Sequence, residues 1–183
     1  MPAIVPRILE TRSLRLRQFT LGDAPVVQRL ADDPEIARWT FIPHPYEDGI
    51  AEDWISSHAK ELDQGTGVTF AVTLKPDLQL VGAIALMKVN AQHRNAELGY
   101  WVAREHQGNG YATEAGRAAL DFGFKDMDLH RIHCFHFAGN NRSGRVMRKL
   151  GMTLEGRMKD YILRNDRYLD AVLYGIINPA HRH

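Results

Sequence analysis

Short alternating runs along the chain are separated by amphipathic stretches. Leu14, Leu16 and Gln18 against Arg15, Arg17 and Phe19 predict a first strand with one largely charged face. A helix is expected from Gly22-Asp23-Ala24-Pro25: Asp23 suits the cap, Pro25 the first turn, and Val26, Val27 and Leu30 the apolar side. Residues from Trp39 to Tyr46, with Pro43 and Pro45 among them, read as an irregular aromatic loop. Residues 47–64 read as a helix that Gly65-Thr66-Gly67 stops. Residues 68–74 and 80–89 predict a hairpin around Lys75-Pro76-Asp77. Next come a strand over 96–103, a helix from Gly110 to about Met127 and a strand over 131–137. A short helix over 143–150 and two strands around Arg164-Asn165-Asp166 close the chain. This order implies an α/β (α+β) fold, a mixed sheet with helices on both faces. No linker, repeat or low-complexity stretch interrupts it, so residues 1–183 are expected to form one domain.

Residues 98–115 carry the most chemical information. Leu98, Tyr100 and Val102 alternate as strand residues do, and Gly108 and Gly110 free the backbone for a tight turn close to a ligand. A small-residue helix then begins. Unpaired N–H groups at a helix start form an anion site, and phosphate is its usual guest. The turn is therefore expected to hold a phosphorylated cofactor. Gly108-x-Gly110-x-x-Thr113 half-matches a dinucleotide fingerprint, but its context fails. The acid at Asp128 precedes the strand over 131–137 instead of closing it, and Thr113 replaces the third small residue.

Composition narrows the classes. The 23 Lys and Arg and 22 Asp and Glu are interspersed, for a net charge of +1, so neither nucleic acid nor an anionic membrane is expected as main partner. The opening from Met1 to Arg7 is too short and too broken by proline for a signal peptide, and no apolar run approaches membrane-spanning length. The single Cys134 fits a reducing compartment and a packing role in its strand; a cytoplasmic protein is expected. His130, His133 and His136, spaced by three along a strand, alternate faces and do not converge on one ion, so no metal is expected. A substrate role for His133 or His136 stays open beside packing or solvation.

Gln107-x-x-Gly110-x-Ala112 resembles the pyrophosphate-binding signature of the GNAT superfamily of acyl-CoA-dependent N-acyltransferases. Downstream, Asn140-x-x-Ser143 followed by Lys149-Leu150-Gly151-Met152 resembles the second block of that superfamily, in the expected order. The opening Thr11-Arg-Ser-Leu-Arg-Leu-Arg17 and the ending from Lys159 to Tyr174 are similar to the subgroup of the RimJ and RimL enzymes, which acetylate protein N-termini. The resemblance implies a mostly antiparallel sheet of about seven strands, splayed at a central parallel pair, with acetyl-CoA as co-substrate. By it, Tyr100, Trp101, Val102 and Ala103 would face the pantetheine. Gln107, Gly108, Asn109, Gly110, Tyr111, Ala112 and Thr113 would wrap the pyrophosphate with backbone N–H groups. Asn140 would bond the pantetheine, and Ser143 and Lys149 would lie further along the CoA path.

The implied reaction is direct transfer of acetyl from the thioester to an amine, which must be neutral at attack, with a proton supplied to the departing thiolate. Glu97 is the acid–base candidate; an exposed strand carboxylate, or one paired with Arg94, is the alternative. Many superfamily members carry a tyrosine just before the Lys-Leu-Gly segment, where this chain has Met147. Ser143, which matches the serine of RimL-like members, is therefore the candidate proton donor, with helix capping as its alternative. Those relatives draw on a base in the segment after Glu155-Gly156; here an apolar residue stands at the aligned position, and Asp160 or Tyr161 is the candidate replacement. Trp39, Phe41, Tyr46 and Tyr161 are candidates for the acceptor pocket, with core packing as the alternative. The expected acceptor is a protein or peptide N-terminal amine. The alternatives are a small amine (polyamine, amino acid or amine antibiotic) or a non-catalytic acyl-CoA-binding module. The apolar closing strand from Tyr168 to Ile177 suits a core or a dimer interface, so monomer and homodimer both remain open.

Overall fold

The computed structural model describes residues 4–181; Met1–Ala3, the first residues of the opening segment weighed as a leader, lie outside them. Eight strands form one sheet: β1 (Leu9–Glu10), β2 (Leu14–Arg17), β3 (Val68–Leu74), β4 (Leu80–Asn90), β5 (Asn95–Val102), β6 (Arg131–Phe137), β7 (Thr153–Arg164) and β8 (Arg167–Ile177). Their order is β1-β2-β3-β4-β5-β6-β8-β7. The strand beyond the expected seven is the two-residue β1, too short to leave an alternating pattern in the sequence. The pair β5–β6 is parallel, and the other pairs are antiparallel.

Strand parity divides the interior in two. Phe70, Val72, Leu98 and Ile132 face the helices α4 (Tyr111–Lys125) and α5 (Asn141–Lys149), in a core that also holds Phe122, Met127 and Met147. Ala71 and Trp101 face the opposite way, toward α1 (Ala24–Ala31) and α3 (Ile50–Asp63), with Val27, Leu30, Tyr46 and Ile55. The closing strand β8 lies inside the sheet between β6 and β7, so its buried Ala171 and Tyr174 serve the core.

Three local expectations change. β2 stops at Arg17, and Phe19 turns across to pack edge-on against Trp54 at 5.0 Å. Asp23 does not cap α1: its carboxylate turns back to Arg17, 2.7 Å away, and to the Thr20 N–H. Trp39 closes a helix, α2 (Pro34–Trp39), instead of opening a loop. The Asp33 side chain accepts from the N–H groups of Glu35 and Ile36, and Pro34 supplies the fixed first turn. None of the helices among the described residues is long and apolar enough to cross a membrane.

Candidate active site

The parallel pair makes the site. β5 and β6 are in register only at Asn95↔Arg131, Ala96↔Ile132 and Glu97↔His133; beyond that rung the strands part. A cleft of about 1480 Å³ runs through the gap, from the turn before α4 to the segment after α2. Gly108 and Gly110 hold φ of +88° and +85°, a conformation costly for any residue with a Cβ, and the space above both is open. The N–H groups of Gly108 to Ala112 bond to no other backbone group among the described residues, so they are free for a diphosphate. Gly108, Gly110, Tyr111, Ala112 and Thr113 line the cleft. Gln107 lines it too, and its side chain braces the turn, donating to the Val102 carbonyl at 3.0 Å. Asn109 donates to the His106 carbonyl, and Ala103 is packed in the second core; neither lines the cleft.

Opposite the turn, α5 supplies Lys149, expected along the CoA path, and two cations that sequence reasoning missed, Arg142 and Arg145. Arg142, Arg145 and Lys149 recur at helical spacing and all line the cleft, a charged stripe that suits the phosphates of CoA. The spacing itself was the available signal. Asn140 caps this helix, its side-chain oxygen accepting from the Ser143 N–H at 3.2 Å.

Ser143 is not the cap. Its hydroxyl lies 2.6 Å from the phenol of Tyr100, which reaches across from β5. Burial, with the Cys134 thiol nearby, pushes the Tyr100 phenol far above its ordinary value. The phenol therefore stays protonated and can donate to Ser143 Oγ, leaving the serine proton free. Met147 is fully buried in the core, so the phenol comes from a strand where many superfamily members take it from the helix. Asp160 and Tyr161 stand apart from Ser143: the Asp160 N–H donates to Asp170, and Tyr161 packs on Phe135 at 5.9 Å.

Glu97 points to the other face of the sheet, as its parity with Trp101 requires. Its side chain is 12% exposed, lines the cleft and accepts from Lys88 Nζ at 2.9 Å; the His133 imidazole lies 3.7 Å away. Burial alone would raise the Glu97 carboxyl, but His133 and Lys88 bring it below the ordinary carboxylate value. Arg94 pairs instead with Asp128 at 2.6 Å. His136 faces the α5 side, buried, with Nδ1 donating to the Phe137 carbonyl at 2.9 Å. His133 and His136 thus stand on opposite faces.

The cleft's far end is aromatic. Trp39, Phe41, Tyr46, Phe135 and Phe137 line it, with Phe41 66% exposed and edge-on to Phe137 at 5.2 Å. Tyr161, expected in this wall, lies outside the cleft lining behind Phe135. Guanidinium groups cover two rings: Arg38 over Trp39 at 4.9 Å and Arg164 over Phe137 at 5.9 Å.

A strand splay beside a glycine turn at a helix start occurs in known enzymes. Residues 13–153 match the family model described as an acetyltransferase (GNAT) domain. The chain is 30% identical over 172 residues to the N-acetyltransferase YoaA of Bacillus subtilis, covering 94% of this chain and 97% of that one. It is 27% identical over 161 residues to the spermidine N(1)-acetyltransferase of Escherichia coli K12, covering 87% and 83%. Mycobacterium smegmatis RimJ, solved in complex with CoA-disulfide, superposes with a TM-score of 0.82 at 27% identity, over 97% of this chain and 88% of that one. The chain belongs to the GNAT family of N-acetyltransferases, enzymes that take their acetyl group from acetyl-CoA.

Proposed function

We propose that the acceptor is the α-amine at the N-terminus of a protein or peptide, and that transfer takes place within a cytoplasmic enzyme. The observation that carries this reading is the weakness of the base in the cleft. Glu97 is held below its ordinary value, so it is ionised at neutral pH but is a poor match for a strongly basic ammonium. An α-amine has an ordinary pKa of about 7.7–8.0, so about a tenth is already neutral at pH 7. An alkyl amine like that of lysine, near 10.4, is neutral in less than about one molecule in a thousand.

Acetyl-CoA supplies the activated acetyl thioester. In this reading the N–H groups of Gly108 to Ala112 hold the diphosphate, with Arg142, Arg145 and Lys149 neutralising charge along α5. The gap-facing backbone groups left unpaired by the splay, within Leu98 to Val102 and Cys134 to Phe137, pair with the pantetheine amides as another strand would. Glu97 takes the amine's proton from one side of the sheet. Ser143, backed by Tyr100, gives a proton to the sulfur from the other. The aromatic end holds the first residues of the acceptor.

The relatives include a spermidine acetyltransferase, which makes a small amine the second reading. A thiol-release assay decides between them, using acetyl-CoA with peptides bearing free or blocked N-termini, and with spermidine and amino acids. Free-N-terminal peptides should exceed spermidine in kcat/KM by at least about tenfold. Turnover confined to spermidine or other small amines would move the acceptor to the second reading.

A further inference from the structure

When an ammonium acceptor becomes an amide, its nitrogen gives up two protons and the departing sulfur takes one, so each turnover releases a proton. Glu97 is largely buried and receives that proton in the proposed function; the role assigned below to its neighbour rests on that reading. A proton left on Glu97 would block the next cycle. The carboxylate needs an exit.

Three strands build one beside it. Glu97↔His133 is the last rung of the parallel pair, so both side chains rise on the same face where the strands begin to part. The imidazole Nε2 stands 3.7 Å from Glu97 Oε2, in charge contact but beyond hydrogen-bond length. Its side chain is 26% exposed against 12% for Glu97, so it is the wetter of the two. The third member comes from a bulge. The β4–β5 register slips between Met87 and Asn90, and Lys88 holds φ of +52°. Without the slip, Lys88 would point to the α4 face; with it, Met87 and Lys88 both face Glu97, and Val89 returns to the first core. A non-glycine residue in that left-handed conformation is strained, and the strain places an ammonium on Oε2. Lys88 already carries its full set of protons and cannot accept another. The other charged groups near His133 are Arg131 on its own strand and Glu155 on β7, paired with each other. From β8 the register places only Gly175 beside it.

We propose that His133 is the proton exit of Glu97, a positioning residue that never touches the acceptor. The N–H bond of the acceptor breaks as an O–H bond forms at Oε1, which has no partner among the described residues. Rotation about the soft terminal torsion of Glu97 exchanges the two oxygens. The O–H bond then breaks as Nε2–H forms on His133, and the imidazolium gives its proton to water, restoring both groups. An imidazole suits this task because it exchanges protons near neutral pH. Lys88 keeps the carboxylate ionised between turnovers.

The test is His133→Gln, assayed with whichever amine the wild-type enzyme acetylates fastest. A small-amine result, which would overturn the α-amine reading, then still tests His133. At pH 7 kcat should fall about tenfold, less than the roughly hundredfold at the low end of a direct proton-transfer contribution, while KM for acetyl-CoA stays within about twofold. Added free imidazole should restore at least half of the lost rate. In a Glu97→Gln background the same change should cost nothing further, because the two act in series. An unchanged kcat, a loss that imidazole does not restore, or a loss that adds in full to that of Glu97→Gln would each overturn the proposal. His133→Asn serves as second variant, and melting temperature and acetyl-CoA binding separate a misfolded protein from a slow one.

Discussion

A serine hydroxyl alone is a poor acid, and the structure gives Ser143 a phenol to draw on. Tyr100 OH is 2.6 Å away and held protonated by burial, so a proton leaving Ser143 can be replaced along one hydrogen bond. With Ser143 as the proposed donor, Ser143→Ala should lower kcat about a hundredfold, with KM for acetyl-CoA little changed. Tyr100→Phe keeps the serine and loses only its backing, so steady-state kinetics should show a smaller fall, about tenfold. Equal losses would mean that the phenol itself is the donor. A second residue matters for stability. His58 packs edge-on against Trp54 at 4.5 Å, both ring nitrogens lack partners among the described residues, and burial pushes its pKa down from 6.5 to about 4. The fold therefore holds a neutral imidazole that the unfolded chain protonates below about pH 6.5. That stabilisation is complete above 6.5 and is lost as pH falls toward 4, about 2 kcal/mol after allowing for the ring's partial exposure. Denaturant midpoints measured from pH 7.5 to 4.5 should fall more steeply for the wild type than for His58→Leu.

Among the elements, β4 and β5 approach closely where Gly82 pairs with Val102. A Cβ on Gly82 would stand 2.2 Å from the Trp101 carbonyl oxygen, a backbone atom that cannot swing away. Gly82→Ala should force the two strands apart and cost about 2–3 kcal/mol. In a chain of this size that corresponds to a melting temperature lower by about 5–10 °C, with weakened acetyl-CoA binding alongside it. Elements built on a strong period were legible in the sequence: β3, β6, α4 and the closing hairpin lie within a few residues of their expected bounds. The turn at Gly108–Gly110 was also legible, because glycine there answers to a backbone conformation. What escaped was set by contacts between distant segments. Asp23 reads as a helix cap, and its preference for Arg17 depends on where β2 ends. The short α2 carried its own signal in Asp33-Pro34, masked by the aromatic residues after it. The pairing of Tyr100 with Ser143, of Glu97 with His133 and the turning of Lys88 by a bulge depend on register, which no local pattern encodes.

The whole molecule is a sheet with an opening in its middle. Four strands lie on one side of the β5–β6 gap and two on the other, besides the pair that forms it. Three rungs of the parallel pair, the packing of α4 and α5, and side-chain contacts such as Tyr100–Ser143 and Phe41–Phe137 join the halves. Backbone groups on the gap-facing edges of the open part of β5 and β6 lack a strand partner, so they exchange with water unless something lies between them. A ligand that pairs with both edges completes the sheet and binds only the folded chain. Its stabilisation obeys mass action, about 2.7 kcal/mol at a concentration one hundred times Kd. For a chain of this length the melting temperature should then rise by about 5–10 °C. Hydrogen exchange should locate the effect: with acetyl-CoA, amides from Leu98 to Val102, from Cys134 to Phe137 and from Gly108 to Ala112 should slow. Those of β2 and β3 should change little. Protection spread evenly over the sheet would mean that the ligand tightens the fold as a whole and that the gap is not its seat. Protection confined to the glycine turn would place the phosphates there but leave the strand edges unfilled, and a pantetheine seated between them like a further strand would be ruled out.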